Sequence, residues 1–135
     1  TSVNAYRGII TAPDKSLKVR AKAVKDLVLK MKNNYLKRAE QADSIHAEIE
    51  RSPYPVLVCG DFNDTPASYT YRQIRKGLTD GFRDCGSGYQ YTFRQLYKLW
   101  RIDYVFYSES LKGYECYSPE TSYSDHNMVV WKGTM

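Results

Sequence analysis

The sequence predicts an α+β chain, and three observations carry that prediction. A three-four spacing of apolar residues runs through the first third. Short β-branched and aromatic runs, bounded by Gly, Pro, Asp and Asn, fill the rest, and no internal repeat or low-complexity linker divides them. The size agrees: 135 residues with 42% hydrophobic content and a mean hydropathy of −0.59 make one globular unit, not a disordered tail.

From Lys15 to Glu50, Val24, Val28, Met31, Tyr35, Ala42, Ile45 and Ile49 recur at helical spacing, with Arg38 filling the one gap. Pro13 and Asp14 stand where this long helix would start, Ser52-Pro53 stop it, and Asn33-Asn34 mark a possible break. Its charges run from basic (Lys18, Lys22, Lys25, Lys32) to acidic (Glu40, Asp43, Glu48, Glu50), against the helix dipole, so a solvated face is the simplest account of them. Val56 to Cys59 reads as a strand covered on both faces, ending at Gly60. Thr65 as N-cap and Pro66 at the first helical position open a short helix that Gly77 closes. Further strands are expected around Tyr91 to Arg94, from Ile102 to Tyr107, near Tyr114 to Tyr117, and from Met128 to Trp131.

The charge balance, 20 Lys+Arg against 15 Asp+Glu, gives +5 and a pI near 9.0, which suits an anionic substrate without requiring one. No run approaches the roughly 18 apolar residues of a spanning helix, and Thr1 to Asn4 carries no leader-like pattern, so no membrane contact is expected from this segment. Cys59, Cys85 and Cys116 are odd in number and lack C-x-x-C spacing, which points to reduced thiols and not to a disulfide scaffold or zinc ribbon. There is no H-E-x-x-H and no G-x-x-x-x-G-K, and His46 reads as a helix-surface residue.

Three polar clusters stand at or inside the apolar strands: Gly60-Asp61-Phe62-Asn63-Asp64, Arg101-Ile102-Asp103-Tyr104, and Ser124-Asp125-His126-Asn127. If the chain stays extended, Asp61 and Asn63 point the same way at a strand exit, where a carboxylate and a carboxamide can hold water, a hard cation and an oxyanion. Asp103 lies within a strand and needs a partner to offset its desolvation; His126 is one, since an Asp fixes the imidazole tautomer and raises its pKa. The bland alternatives are an Asx turn at Asp61 to Asp64, an Asp103–Arg101 pair, and a loop histidine. Ser124-Asp125-His126 is no triad by itself, because adjacent side chains diverge. Tyr69, Tyr71 with Arg72, and Tyr91, Phe93 with Arg94 set aromatics beside cations, the composition of a nucleic-acid-binding module; such a module, or a non-catalytic interaction fragment, is the competing reading.

Together, G-D-F-N at Gly60 to Asn63, R-I-D-Y at Arg101 to Tyr104 and S-D-H at Ser124 to His126 resemble the C-terminal half of the endonuclease/exonuclease/phosphatase (DNase I-like) family, over about Val56 to Trp131. The resemblance implies half of a four-layer α/β/β/α sandwich: a mixed sheet with one long and one short helix on one face. It implies phosphoester hydrolysis by in-line water attack with Mg²⁺ or Mn²⁺. Asp61 would orient or deprotonate the water, Asn63 would hydrogen-bond the phosphate, and Asp103 would orient His126 as donor to a phosphoryl oxygen. Asp61, Asn63 and Asp125 would serve the metal. The family's N-terminal half would add an Asn, a metal-binding Glu and a second His. None can be placed here: Asn4 stands in no such motif, and Glu40, Glu48 and Glu50 fall on the long helix. The implied partners are a phosphoester, nucleic acid among the candidates, and either a second copy or a separate N-terminal fragment against an uncovered sheet face.

Overall fold

The computed structural model describes residues 17–94 and 100–135. Helix α1 spans Leu17–Arg51 without a break at Asn33-Asn34, as expected of a stretch with no Gly or Pro and many Ala, Lys, Leu and Glu. It ends where Ser52 N–H bonds the Ile49 carbonyl at 3.2 Å and Pro53 follows. Two compact units divide the chain, one ending at Arg38 and one running from Ala39 to Met135; the boundary falls inside α1, where no linker composition announces it.

Within Ala39–Met135 the order is β1 (Leu57–Asp61), α2 (Tyr69–Arg75), β2 (Thr79–Asp80), α3 (Gly81–Cys85), β3 (Asp103–Tyr107), β4 (Lys112–Tyr117) and β5 (Val130–Thr134). One sheet has the order β1-β3-β2 and the other pairs β4 with β5. Every ladder among the described residues is antiparallel, where a mixed sheet was expected; the single parallel pairing is an isolated Gly86–Cys116 bridge. The α+β class stands.

Period-two alternation sorts the central strands. Val58, Tyr104 and Phe106 share the face that meets Ala42 and Ile49 of α1 and Tyr71 and Ile74 of α2, so the part of the long helix from Ala39 onward and the short helix cover one face. Phe62, Tyr71, Tyr104 and Phe106 form an aromatic cluster in which Tyr104 and Phe106 each meet the other three rings at centroid distances of 5.0–5.5 Å, tilted or edge-on except for the stacked Tyr104–Phe106 pair. On the opposite face Leu57 and Cys59 are exposed, which corrects the expectation of a strand covered on both sides. That face is partly closed at the other end, where the Tyr107 ring lies 4.7 Å from Trp131 of β5. Gly113 permits the close approach: a Cβ there would stand 2.4 Å from the Tyr107 hydroxyl.

Several boundaries move. α2 is capped by Ser68, whose hydroxyl accepts from Tyr71 N–H at 3.1 Å; Thr65 and Pro66 belong to the preceding turn, closed by Ser68 N–H on the Thr65 carbonyl. Gly77, at φ +77°, supplies the left-handed residue expected after it. Tyr91 to Arg94 forms no ladder, only isolated bridges from Phe93 to Trp100 and His126, and the last strand begins two residues later than expected. His46 is buried, not on the surface, because the core-facing side of α1 runs through Ala42, His46 and Ile49 while Ile45 turns outward. The three cysteines are free, and burial pushes the Cys116 thiol up to about 11. No described helix is long and apolar enough to cross a membrane.

Candidate active site

Antiparallel register brings the first two motifs together. Asp61, last residue of β1, is the direct partner of Asp103, first residue of β3, and both lie on the face away from the helices. The third motif precedes β5: Thr121 Oγ1 donates to the His126 carbonyl at 2.8 Å, Ser124 Oγ accepts from His126 N–H at 3.1 Å, and the Phe93 ring packs 5.2 Å from the imidazole. These contacts place His126 Nδ1 3.0 Å from Asp103 Oδ2 and its Nε2 4.0 Å from Asp61 Oδ2. Asp103 therefore pairs with the histidine. Arg101 turns the other way, to a two-pronged bond with Asp80 at 2.9 and 2.7 Å.

The Asp61–Asn63 arrangement differs from the extended geometry that the spacing suggested. Asn63 is left-handed, with φ +50°. Asp61 Oδ1 accepts its backbone N–H at 2.8 Å and Oδ2 its carboxamide at 3.2 Å. An Asx turn and a site are thus the same structure, since the bond that closes the turn also fixes the carboxylate. Tyr104 pins this turn to β3, its hydroxyl lying 2.9 Å from the Asp64 carbonyl and 2.6 Å from that of Arg101. Neither Tyr104 nor buried Asn127, which binds Thr121 N–H and the Tyr91 carbonyl, stands out in the sequence, because an aromatic or an amide inside a motif reads as filler.

Burial alone would lower the His126 pKa, but the bond to Asp103 and the charges of Asp61 and Asp125 raise it above its ordinary value. Asp103 is itself raised, chiefly by burial and further by facing Asp61, while Thr92 and His126 pull it back. With Nδ1–H directed at Asp103, Nε2 is the nitrogen that faces Asp61; this tautomer is assigned from the bonding pattern. The pocket, about 210 Å³, is lined by Cys59, Asp61, Asp103, Val105, Met128 and Val129 among others.

A cation could be held here. Asp61, Asp103 and His126 each offer one donor atom, all within 4.8 Å of one another, and Asn63 lies against Asp61. Facing carboxylates beside a carboxamide are a hard-cation donor set. Asp125 is exposed and stands outside that group; its carbonyl accepts from Arg94 N–H at 2.8 Å. The suggested stacking residues are otherwise engaged: Tyr71 is buried, Tyr69 donates to Asp43 at 2.6 Å, Tyr91 bonds Glu120, and Phe93 covers His126.

Residues 20–126 match the Endonuclease/Exonuclease/phosphatase family. The chain belongs to this family. Its fold is shared with an endonuclease/exonuclease/phosphatase from Bacteroides vulgatus (TM-score 0.64, 25% identity, 73% of this chain and 44% of that one). It is shared too with a mannosyl-6-phosphatase of Bacteroides thetaiotaomicron (0.60, 20%, covering 73% and 46%) and with a functionally unknown conserved protein of Enterococcus faecalis (0.65, 21%, covering 74% and 45%). The chain thus spans under half the length of these structures. No curated protein matches it.

Proposed function

We propose that this chain is the C-terminal part of a metal-dependent phosphoester hydrolase in which water attacks phosphorus in line. The observation that carries the reading is the Asp103–His126 pair at 3.0 Å with Asp61 facing the outer imidazole nitrogen. Asp61 orients or deprotonates the water, Asn63 holds the scissile phosphate, and His126, oriented by Asp103, donates to a phosphoryl oxygen as charge gathers there. Asp61 and Asn63, with Asp125 brought in from outside the converging group, would hold Mg²⁺ or Mn²⁺, which would neutralise phosphate charge when bound. On this reading the remaining metal-binding Glu and second His come from outside the 135 residues, so the chain alone turns over slowly.

The test is hydrolysis of p-nitrophenyl phosphate, bis(p-nitrophenyl) phosphate and an oligonucleotide by the protein expressed with the coding sequence upstream of Thr1. Asp61→Ala and His126→Ala should each lower kcat by about 10²–10⁴. Wild-type turnover after Asp61→Ala would overturn the reading, and so would salt-sensitive oligonucleotide binding without any turnover.

A further inference from the structure

Thr92 is fully buried, at 0% exposure, between two half-buried aromatic residues, Tyr91 and Phe93. Its Oγ1 accepts two backbone N–H groups, those of Ile102 and Asp103, each at 3.0 Å. A threonine hydroxyl has two lone pairs and one proton. With both lone pairs engaged, the hydroxyl acts toward any further neighbour as a donor only. The Thr92 backbone serves the other half of the pair: its carbonyl accepts from Asn127 N–H at 2.6 Å, next to His126, while Phe93 bridges to His126 and packs on its ring.

We infer that Thr92 is a positioning residue for the Asp103–His126 pair, its hydroxyl fixing the Asp103 backbone, and with it the start of the strand that carries the carboxylate, while its main chain fixes the loop that carries the imidazole. Nothing in the three motifs assigns it. A one-residue segment thereby sets the distance between acid and base, as a supporting shell must if that geometry is to hold within a fraction of an ångström. The inference rests on the catalytic reading of the pair, yet one of its tests does not need turnover.

Thr92→Val keeps the shape and removes the hydroxyl; Thr92→Ser keeps the hydroxyl and removes the methyl. The first readout is the His126 Nδ1–H proton in the nuclear magnetic resonance spectrum of this chain, visible downfield while it is held by Asp103. In Thr92→Val its exchange with water should quicken at least about tenfold or the signal vanish, with amides remote from residues 92, 103 and 126 unmoved; Thr92→Ser should retain it. An unchanged Nδ1–H in a folded Thr92→Val overturns the inference. If Thr92→Val does not fold, Thr92→Ser decides: a retained signal supports the hydroxyl's role, and a lost signal in an otherwise native spectrum overturns it. The second readout, in the active form, is kcat: Thr92→Val should lower it by about tenfold or more with KM within about twofold, and Thr92→Ser should restore it. Absent turnover in the unsubstituted protein would count against the proposed function and leave the first readout to judge Thr92.

Discussion

Replacing Asp80 with Ala tests what holds β3 where the site needs it. The Asp80 side chain is 1% exposed and that of Arg101 10%. The carboxylate accepts from Arg101 at 2.9 and 2.7 Å, from the Tyr71 hydroxyl at 2.6 Å, and from Phe82 N–H at 3.0 Å as the cap of α3. The guanidinium is wrapped by the Tyr71, Phe82 and Tyr104 rings, 4.8–6.0 Å from their centroids, so it cannot turn to water when its partner goes. Stranding a buried charge costs about 3–5 kcal/mol, a large share of the 5–15 kcal/mol or so that holds a typical domain. Urea unfolding followed by circular dichroism should show a midpoint lowered by at least about 1 M, given slopes of about 1–3 kcal/mol per molar. Adding Arg101→Met, which removes the stranded charge and keeps much of the packing, should recover more than about 1 kcal/mol. Acid supplies a second measurement. Burial alone would raise the Asp80 pKa, but Arg101 and Tyr71 hold it below the ordinary carboxylate value. A folded pKa below the unfolded one means the pair stabilises fully above about pH 3.9 and less as pH falls through the depressed value. Asp80→Ala should lose that acid limb. A variant within about 0.5 kcal/mol of the wild type, or a double variant no more stable than Asp80→Ala, would refute the reasoning.

Three further outcomes are expected. His46 is buried with Nδ1 lacking a hydrogen-bond partner among the described residues and Nε2 3.3 Å from Glu50, so His46→Leu should be neutral or stabilising by up to about 1 kcal/mol; a loss above about 2 kcal/mol in thermal unfolding would overturn that expectation. Gly113→Ala must displace the Tyr107 hydroxyl, Cys85 Sγ and Trp131 Nε1, at 2.4, 2.9 and 2.9 Å from the new methyl, and should cost about 1–3 kcal/mol, with the near-ultraviolet dichroism of the two rings altered. With Asp61, Asn63 and Asp125 as the proposed ligands, Mn²⁺ relaxation on this chain should report binding at about millimolar or weaker; micromolar binding would require a different ligand set.

Much of the site is legible because chemistry and strand pattern coincide. Asp103 stands within an apolar strand and so demands an explanation from desolvation, which His126 answers; Asp61, exposed at a strand exit, is legible from its place beside Asn63. The turn at Asn63 is less legible, because alternation assumes an extended chain and the Asp61 carboxylate instead captures the N–H two residues on. Residues with two plausible structural uses mislead. Thr65-Pro66 reads as a helix start, yet those residues form a turn that delivers Ser68 as the cap; Tyr91 to Arg94 has strand composition, yet its N–H and carbonyl groups are divided among Trp100, Asp125 and Asn127, so no ladder forms there among the described residues. β2 and α3 escape notice because a two-residue strand and a five-residue helix carry too few residues for periodicity, although Asp80 before Gly81-Phe82 is a cap signal in retrospect.

Alternation in β1 and β3 also binds the site to the uncovered face of the sheet. Leu57, Cys59 and Asp61 share that face with Tyr107, Val105 and Asp103, and a one-residue slip would drive both carboxylates into the aromatic core. Register and chemistry are therefore a single requirement. Leu57 is 50% exposed and Met128 53%, close to the pocket that holds Asp61 and Asp103. A layer placed over this face would bury that apolar surface and strip water from the carboxylates and the imidazole, strengthening each charge interaction among them. On the proposed reading the layer is the rest of the domain, which brings the Glu and His as it covers the face. A second copy of this chain would cover the face and bring neither. Sedimentation with a turnover assay separates the cases: the 135-residue chain should self-associate or remain nearly inactive, and the upstream sequence should give an active protein. A fully active monomer of 135 residues at micromolar concentration would refute both the missing ligands and the need to cover the face.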